Sequence, residues 1–310
     1  MQAVLNAALP IFALIMTGFF CARIGIFGSS ATDSLNRFAI YLALPALMFG
    51  AMSKITPEQT RQVGFALAFA CGIAVTFACG FALSRWRGRS VASASIEGLD
   101  AGYSNVGFMG IPLCLLVFGP TSLPAAIIAT LFTACVLFLF AIVVIESDLR
   151  KGASTLRTLG KALLSLFYNP LLVAPLAGLC VGLTGVALPA PIERFATILG
   201  GAASPCALIC IGLFLAQEPV VSGDTVSVGA LVAMKLVLQP AVTALFAFYV
   251  FDVPAVWAKA AVLLSALPIG SGPFTIAKLY GLQAGVTSGA ILVSHIFSIF
   301  TVSALVARFG

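Results

Sequence analysis

Charged residues are scarce in this chain of 310 residues, in which Asp, Glu, Lys and Arg together make up only 8%. Soluble domains typically carry about 25% charged residues. Hydrophobic residues account for 61% of the chain, more apolar surface than a soluble fold of this length could bury. The composition therefore excludes a soluble protein and predicts an all-α integral membrane protein. Apolar runs of ~20 residues, rather than alternating strands of ~10, favour helices over a β-barrel.

The residues of cofactor and metal chemistry are also scarce. The sequence has one histidine, and of its eight cysteines only Cys206 and Cys210 share a helix face, which leaves a metal site incomplete. A Gly-rich lysine loop for phosphates, a zinc-protease histidine pair and a serine nucleophile elbow are missing. We therefore predict neither an ATP-driven pump nor an enzyme, and no cofactor or metal. The net charge of +6 comes from scattered basic residues and does not predict nucleic-acid binding.

Ten apolar segments are long enough to span a bilayer. Their predicted bounds are 4–26, 34–53, 62–84, 92–118, 122–145, 166–187, 195–216, 226–250, 257–280 and 284–307. The longest polar connection, 146–165, separates a first five-span half, 1–145, from a second, 166–310. The loops on the side of 146–165 hold most of the lysines and arginines, so this side is predicted to be cytoplasmic. With ten spans, both termini then lie on the opposite side.

The two halves repeat glycine and proline positions. Matching residues lie 160 positions apart: Gly18 with Gly178, Gly25 with Gly185, and Pro45 with Pro205. Since each half has an odd number of spans, the second half enters the membrane from the opposite side. The sequence thus predicts two inverted five-helix repeats, the arrangement typical of secondary transporters.

The fourth and ninth spans are poorly built as helices, in the stretches 98–119 and 264–281. Several glycines weaken helical order there, and prolines such as Pro112 remove a backbone donor. Close helix packing or a simple kink would explain one such span. Two at matching positions indicate discontinuous helices whose freed backbone groups face protein, water or a ligand near the midplane.

Polar and proline residues at these breaks are the candidate substrate ligands. Asn105 can donate its amide to a carboxylate or to a freed backbone group, and half-helix N-termini near the breaks favour an anion. Ser271 is the polar counterpart in the ninth span. The full candidate set is Tyr103, Ser104, Asn105, Gly107, Pro112, Pro268, Ser271 and Pro273, with Pro45 and Pro205 of the second and seventh spans.

Four ionisable residues inside the spans are candidates for ion coupling. Glu97 and Asp100 share one helix face, either as an interfacial pair neutralised by the arginines at 85–89 or as a proton or cation site. Lys235 either reaches the interface with its long side chain or balances an acid or an anionic substrate. His295 makes a helix–helix hydrogen bond or relays protons.

Several segments of the chain resemble bacterial, malonate or malate permease-like members of the auxin efflux carrier family of transporters. These segments are 35–50, 103–119, 168–192, 199–216 and 267–281. The pattern Asn-x-Gly-Phe-x-Gly-x-Pro at 105–112 is the most specific of them.

The resemblance implies a scaffold of the sodium/proton antiporter type, in which the broken fourth and ninth helices cross. It places the crossover prolines at Pro112 and at Pro268 or Pro273, and the polar crossover residue at Asn105. Where relatives often have asparagine in the second half, this chain has Gly-Ser-Gly at 270–272. The resemblance also favours a homodimer.

Together these features predict a carrier in the plasma membrane, the bacterial inner membrane, with both termini periplasmic. We expect it to move a small mono- or dicarboxylate by alternating access, with a proton, sodium or no coupling ion. The first, second, sixth and seventh spans are expected to be the less mobile part. A membrane sensor or channel of the same fold, and a cation-coupled carrier of a different solute, are the alternatives.

Overall fold

The computed structural model describes residues 8–149, 160, 164, 168–217 and 224–309. Over these residues the protein is helical, and its only extended pairing is one antiparallel bridge between Ser104 and Ile269. Six of the described helices are long and apolar enough to cross a membrane. The chain is therefore an integral membrane protein, which confirms the prediction from composition.

Twelve helices, numbered α1 to α12 in chain order, make up the described part of the chain. They are α1 (Leu9–Arg23), α2 (Ser29–Met52), α3 (Pro57–Trp86), α4 (Val91–Gly102), α5 (Val106–Phe118), α6 (Pro120–Leu149), α7 (Pro170–Thr184), α8 (Ala190–Gln217), α9 (Thr225–Val250), α10 (Ala255–Ser265), α11 (Gly272–Leu279) and α12 (Gly285–Phe309).

Helix α6 continues beyond the predicted end of the fifth span at 145. Its last turn is held by Asp148, whose Oδ2 accepts a 2.9 Å hydrogen bond from the Ala92 amide in the first turn of α4. A carboxylate at a helix N-terminus is stabilised by the unsatisfied amides and by the helix dipole. The predicted loop 146–165 therefore begins as helix, and apart from residues 160 and 164 its remainder lies outside the described residues, as do 4–7 and 166–167 of two predicted spans.

The helices pack as two groups. Helices α1, α2, α7 and α8 contact one another, while α3 to α6 pack with α9 to α12. The groups meet where α8 packs against α5 and where α2 and α7 pack against α6. Each group takes helices from both halves of the sequence, so the halves interleave in space.

Matching glycines make matching contacts in the first group. A Cβ added to Gly18 of α1 would collide with the carbonyl oxygen of Ile209 in α8, and one added to Gly178 of α7 would collide with that of Phe49 in α2. Ile209 and Phe49 are themselves 160 residues apart, the same offset that relates the two glycines. Small residues let membrane helices approach closely, so the two contacts are equivalent in kind as well as in position.

The ends of paired helices match as well. Gly25 and Gly185, which follow α1 and α7, have φ of 80° and 68°. Gly119 and Gly281, which follow α5 and α11, have φ of 77° and 64°. Glycine adopts this left-handed conformation without the strain that a Cβ would cause, so the same residue type ends corresponding helices.

Replacing Gly212 in α8 by alanine tests the close contact with α1. A Cβ there would overlap the Ile15 carbonyl oxygen, which belongs to a helix backbone and cannot rotate away. We expect the substitution to destabilise the protein by about 1–3 kcal/mol. The matched control is Gly201→Ala in the same helix, where an added Cβ meets no atom within 4 Å. Thermal unfolding in detergent, followed by tryptophan fluorescence, should show a lower midpoint for Gly212→Ala only; equal midpoints would contradict the packing.

Candidate functional site

The predicted fourth span comprises α4 and α5, which are separated by a short non-helical segment. Residues 103–105, the first interruption, are not helical, and Tyr103 has extended backbone angles (φ −89°, ψ 95°). Helix α5 begins with a π-helical turn, Val106–Gly110, and Pro112 lies in the first turn of the α-helix that follows. Proline lacks an N–H and crowds the preceding turn, and the wider π turn before Pro112 leaves room for its ring.

The predicted ninth span comprises α10 and α11, which are also separated by a non-helical segment. Helix α10 ends at Ser265, and residues 266–271, the second interruption, are not helical. Pro273 lies at the start of α11, where its fixed φ suits the first helical turn and its missing N–H is not needed.

The two interruptions lie side by side and exchange backbone hydrogen bonds. The Asn105 amide donates to the Pro268 carbonyl at 2.9 Å, and the Gly270 amide donates to the Tyr103 carbonyl at 3.1 Å. These bonds flank the bridge between Ser104 and Ile269. The Ile269 amide in turn donates to Ser294 Oγ of α12 at 3.0 Å. The interruptions thus satisfy much of their own freed backbone.

Helix α9 satisfies the carbonyl ends of both interrupted helices. Lys235 Nζ donates to the carbonyl of Ser265, the last residue of α10, at 2.6 Å. One turn later, Gln239 Nε2 donates to the carbonyl of Gly102, the last residue of α4, at 3.1 Å. Gln239 Oε1 also accepts a 3.4 Å hydrogen bond from Ser104 Oγ. Lys235 and Gln239 are both fully buried.

Gln239 is a functional candidate that the sequence analysis missed. The signal was its spacing of four residues from Lys235, which places both side chains on one helix face. In an apolar span, a second polar residue on the face of a buried lysine indicates a shared polar target.

A cavity of about 200 Å³ lies beside the two interruptions and is called the crossing cavity below. Residues of α2, α5, α8, α11, α12 and both interruptions line it, so both packing groups contribute. Its lining residues are Thr32, Asp33, Asn36, Asn105, Phe108, Cys210, Ile211, Phe214, Ser271, Phe274, Thr275, Ile291 and His295. Of the residues selected as substrate ligands, only Asn105 and Ser271 face it. The sequence analysis selected no residue of its α2 wall.

Asn105 and His295 are joined within this cavity. Asn105 Nδ2 lies 3.4 Å from His295 Nε2, and His295 Nδ1 lies 2.9 Å from the Ile291 carbonyl oxygen. A carbonyl accepts only, so Nδ1 carries the proton and Nε2 accepts from the Asn105 amide. One amide hydrogen of Asn105 is thereby fixed, while the rest of its hydrogen-bonding capacity faces the cavity.

The first turn of α11 forms another wall of the crossing cavity. Ser271 precedes the helix and makes no side-chain capping bond. The first amides of a helix have no intrahelical partner and carry partial positive charge, which favours an anion. The polar walls can therefore bind a small anion through neutral donors.

The other predicted ligands lie nearby but outside the cavity. The Tyr103 ring packs 5.7 Å from the Phe138 ring and lines a separate cavity of about 500 Å³. Ser104 is buried against α9. Gly107, Pro112, Pro268 and Pro273 shape the backbone around the crossing, whereas Pro45 and Pro205 lie within α2 and α8 of the first packing group.

The two acidic candidates of α4 have partners away from the crossing cavity. Arg89 Nε lies 3.0 Å from Glu97 Oε1. This ion pair corresponds to the first of the two predicted alternatives, in which an arginine neutralises the carboxylate at the interface. Asp100 is fully buried, and its Oδ2 accepts a 2.8 Å hydrogen bond from Thr287 Oγ1 of α12. Over the described residues, no group of three or more metal-ligating side chains occurs.

An ion-pair network joins the start of α9 to the loop before α4. Arg87 contacts Asp224 Oδ2 at 2.5 Å, and Arg89 reaches the same oxygen at 3.8 Å. The Ser227 hydroxyl, which donates to this carboxylate at 2.9 Å, lowers the pKa of Asp224. Through Arg89 the network also includes Glu97, so it fixes the ends of α3, α4 and α9 relative to one another.

The chain is similar to transport proteins over most of its length. Residues 3–306 match the family described as membrane transport protein. A Rhizobium meliloti relative named "Putative malonate transporter" is 32% identical, with 98% of this chain and 95% of that protein aligned. The "Uncharacterized transporter YfdV" of Escherichia coli K12 is 24% identical over 75% of this chain and 74% of its own length.

A plant relative carries the auxin efflux name. The rice protein "Probable auxin efflux carrier component 1b" is 31% identical over 41% of this chain and 24% of its own length. The similarity thus extends to the group that the sequence motifs resemble. The chain belongs to the membrane transport protein family, which is the auxin efflux carrier family of transporters and not a family of enzymes.

Proposed function

We propose that this transporter is a secondary carrier that moves a small organic anion, a mono- or dicarboxylate, across the plasma membrane by alternating access. The observation that carries the proposal is the crossing cavity, where the Asn105 amide and the uncapped first turn of α11 converge on about 200 Å³ of space. The name of the Rhizobium meliloti relative supports a carboxylate.

The proposed architecture is ten spans in two inverted five-helix repeats, 1–145 and 166–310, joined by a cytoplasmic loop at 146–165. Helices α4 and α5 together form the fourth span, and α10 and α11 form the ninth. The equivalent contacts of Gly18 and Gly178 support this reading, because an inverted repeat places the same contact on both sides of the membrane.

In the proposed mechanism, one packing group moves against the other. Helices α2 and α8 of the first group and α5, α11 and α12 of the second line opposite sides of the crossing cavity. Rocking of the second group against α1, α2, α7 and α8 would expose a bound anion to each side in turn. The same proposal includes a homodimer, in which contact between the two copies keeps the first packing group stationary.

Ion coupling is assigned to the buried titratable groups. Asp100 is the candidate for a transported proton, because one of its carboxylate oxygens has no hydrogen-bond partner in the described part of the chain. His295 connects α12 to Asn105 and is the candidate to sense the bound anion. Glu97, paired with Arg89, is assigned to the ion-pair network.

Two substitutions at Asn105 test the anion site. Asn105→Ala removes a donor to the carboxylate, and loss of a hydrogen bond to a charged group, about 1.5–3 kcal/mol, corresponds to roughly 10–150-fold in affinity. Asn105→Asp retains the shape but places a negative charge in the cavity. Both variants should lose counterflow of labelled malonate in proteoliposomes while their expression and unfolding midpoints stay near wild type.

The aspartate variant separates a binding role from a structural one. If Asn105 only anchored His295, the carboxylate of Asn105→Asp would keep that contact by accepting from Nε2 of a protonated His295 ring, and transport would persist. Wild-type counterflow by either variant would remove Asn105 from the site. A flux without counterflow in the wild-type protein would instead indicate a channel.

Asp33 gives a second test, because it is the acidic side chain among the described residues that line the crossing cavity. Its negative charge opposes a bound anion by an amount on the order of 1 kcal/mol at the high effective dielectric of a wet cavity. Asp33→Asn should therefore lower KM for malonate roughly fivefold. The matched control is Asp252→Asn, an exposed residue after α9, which should leave KM unchanged. A raised KM in Asp33→Asn would contradict anion binding.

The topology follows from the ten spans and is tested with reporters fused to the C-terminus. Alkaline phosphatase should be active and green fluorescent protein dark, because the periplasm supports folding of the first and not of the second. A fluorescent fusion in a bacterial inner membrane would contradict an even number of spans with periplasmic ends.

A further inference from the structure

The carbonyl ends of two helices are buried at the crossing, at Gly102 in α4 and Ser265 in α10. The last carbonyls of a helix have no intrahelical partner and carry partial negative charge, equivalent to about half an elementary charge per helix. In transporters with discontinuous helices, such ends and the unwound carbonyls beside them coordinate the coupling cation. The contacts at this position therefore bear on which ion drives transport.

In this protein the amino group of a lysine side chain occupies that position. Lys235 Nζ lies 2.6 Å from the Ser265 carbonyl oxygen, and the side chain is fully buried. No acidic side chain forms an ion pair with Lys235 over the described residues. The acids nearest in sequence to the first interruption have other partners, since Glu97 pairs with Arg89 and Asp100 accepts from Thr287. The Lys235 amino group therefore faces the backbone end of α10.

Gln239 completes the arrangement on the same face of α9. Its amide donates to the end of α4, and its oxygen accepts from Ser104. The Ser104 hydroxyl also lies 3.5 Å from the Ser265 carbonyl oxygen, which connects the two ends. The carbonyl oxygens of Gly102 and Ser265, which could ligate a free cation, thus already accept from Gln239 and Lys235.

We propose that Lys235 is a resident cation that takes the place of a coupling sodium ion at the crossing, so that transport does not require an alkali cation. The inference rests on the proposed function and assigns its ion dependence. Lys235 acts through the helix ends and not by contact with the substrate, because it does not line the crossing cavity. It is therefore a positioning residue: its charge holds the carbonyl end of α10 beside the end of α4 that Gln239 binds, while the first turn of α11 faces the anion.

The experiment compares malonate counterflow in proteoliposomes containing NaCl, LiCl, KCl or N-methylglucamine chloride. The wild-type rates should agree within about twofold across the four salts, as expected when no cation binds.

Lys235→Ser removes the charge, leaves space and adds an oxygen ligand. Its counterflow should fall about tenfold or more in N-methylglucamine and recover at least partly in NaCl or LiCl. Lys235→Gln fills the space without charge and should stay inactive in every salt. Lys259→Ser, at a lysine of α10 that lies over the Phe309 ring, is the matched control and should behave as wild type.

Thermal unfolding of the purified variants gives a readout that does not depend on transport. Sodium or lithium should raise the midpoint of Lys235→Ser by about 3 °C or more and leave that of the wild-type protein unchanged. If the wild-type protein transports no carboxylate, the proposed function fails, yet this shift still tests the cation position.

A sodium requirement in the wild-type protein would overturn the inference. So would wild-type counterflow by Lys235→Gln, or a Lys235→Ser variant that responds to no cation in either measurement. If Lys235→Ser does not fold, the salt series on the wild-type protein and Lys235→Gln decides.

Discussion

Backbone polar groups inside a bilayer must find partners within the protein, and this constraint governs how the two interrupted spans are built. Each interruption frees amides and carbonyls at a depth where lipid offers none, at several kcal/mol for each unsatisfied group. The protein meets the requirement by placing the interruptions side by side. The hydrogen bond from Asn105 to Pro268 and that from Gly270 to Tyr103 pair them as a short antiparallel ladder. The position of α4, α5, α10 and α11 follows from this pairing.

The remaining freed groups divide by sign. Carbonyl ends of α4 and α10 point towards α9, which supplies donors from Gln239 and Lys235. The first turn of α11 lines the crossing cavity. No side chain of the described residues caps the first amides of this helix. On the α9 side, the carbonyl ends already accept from Lys235 and Gln239. On the cavity side, the first amides of α11 have no capping partner in the described part of the chain. A site that binds anions without any arginine or lysine among its described lining residues follows from this division.

The sequence located the crossing better than it located the cavity. Glycine and proline in 98–119 and 264–281 predicted where helical order weakens, because their backbone effects are local. Asn105 was selected for the same reason. The opposite wall was missed since Thr32, Asp33 and Asn36 precede or begin the predicted second span, and polar residues there read as its solvated end. Only the packing of α2 against α8, and of α8 against α5, brings them to the site, and such long-range contacts leave no periodic signal.

The residue type at 270–272 shows how one side chain restricts another across the crossing. The chain has Gly-Ser-Gly at this position, and the Tyr103 ring packs against both glycines. A Cβ on Gly270 would lie 2.8 Å from this ring, and one on Gly272 would lie 2.6 Å from it. An asparagine at either position would therefore displace Tyr103 from its packing with Phe138. Positions 270 and 272 therefore hold no side chain beside Tyr103, and the partner of Asn105 comes from His295 of α12. The glycines of the second interruption thus fit the ring that the first interruption places against them.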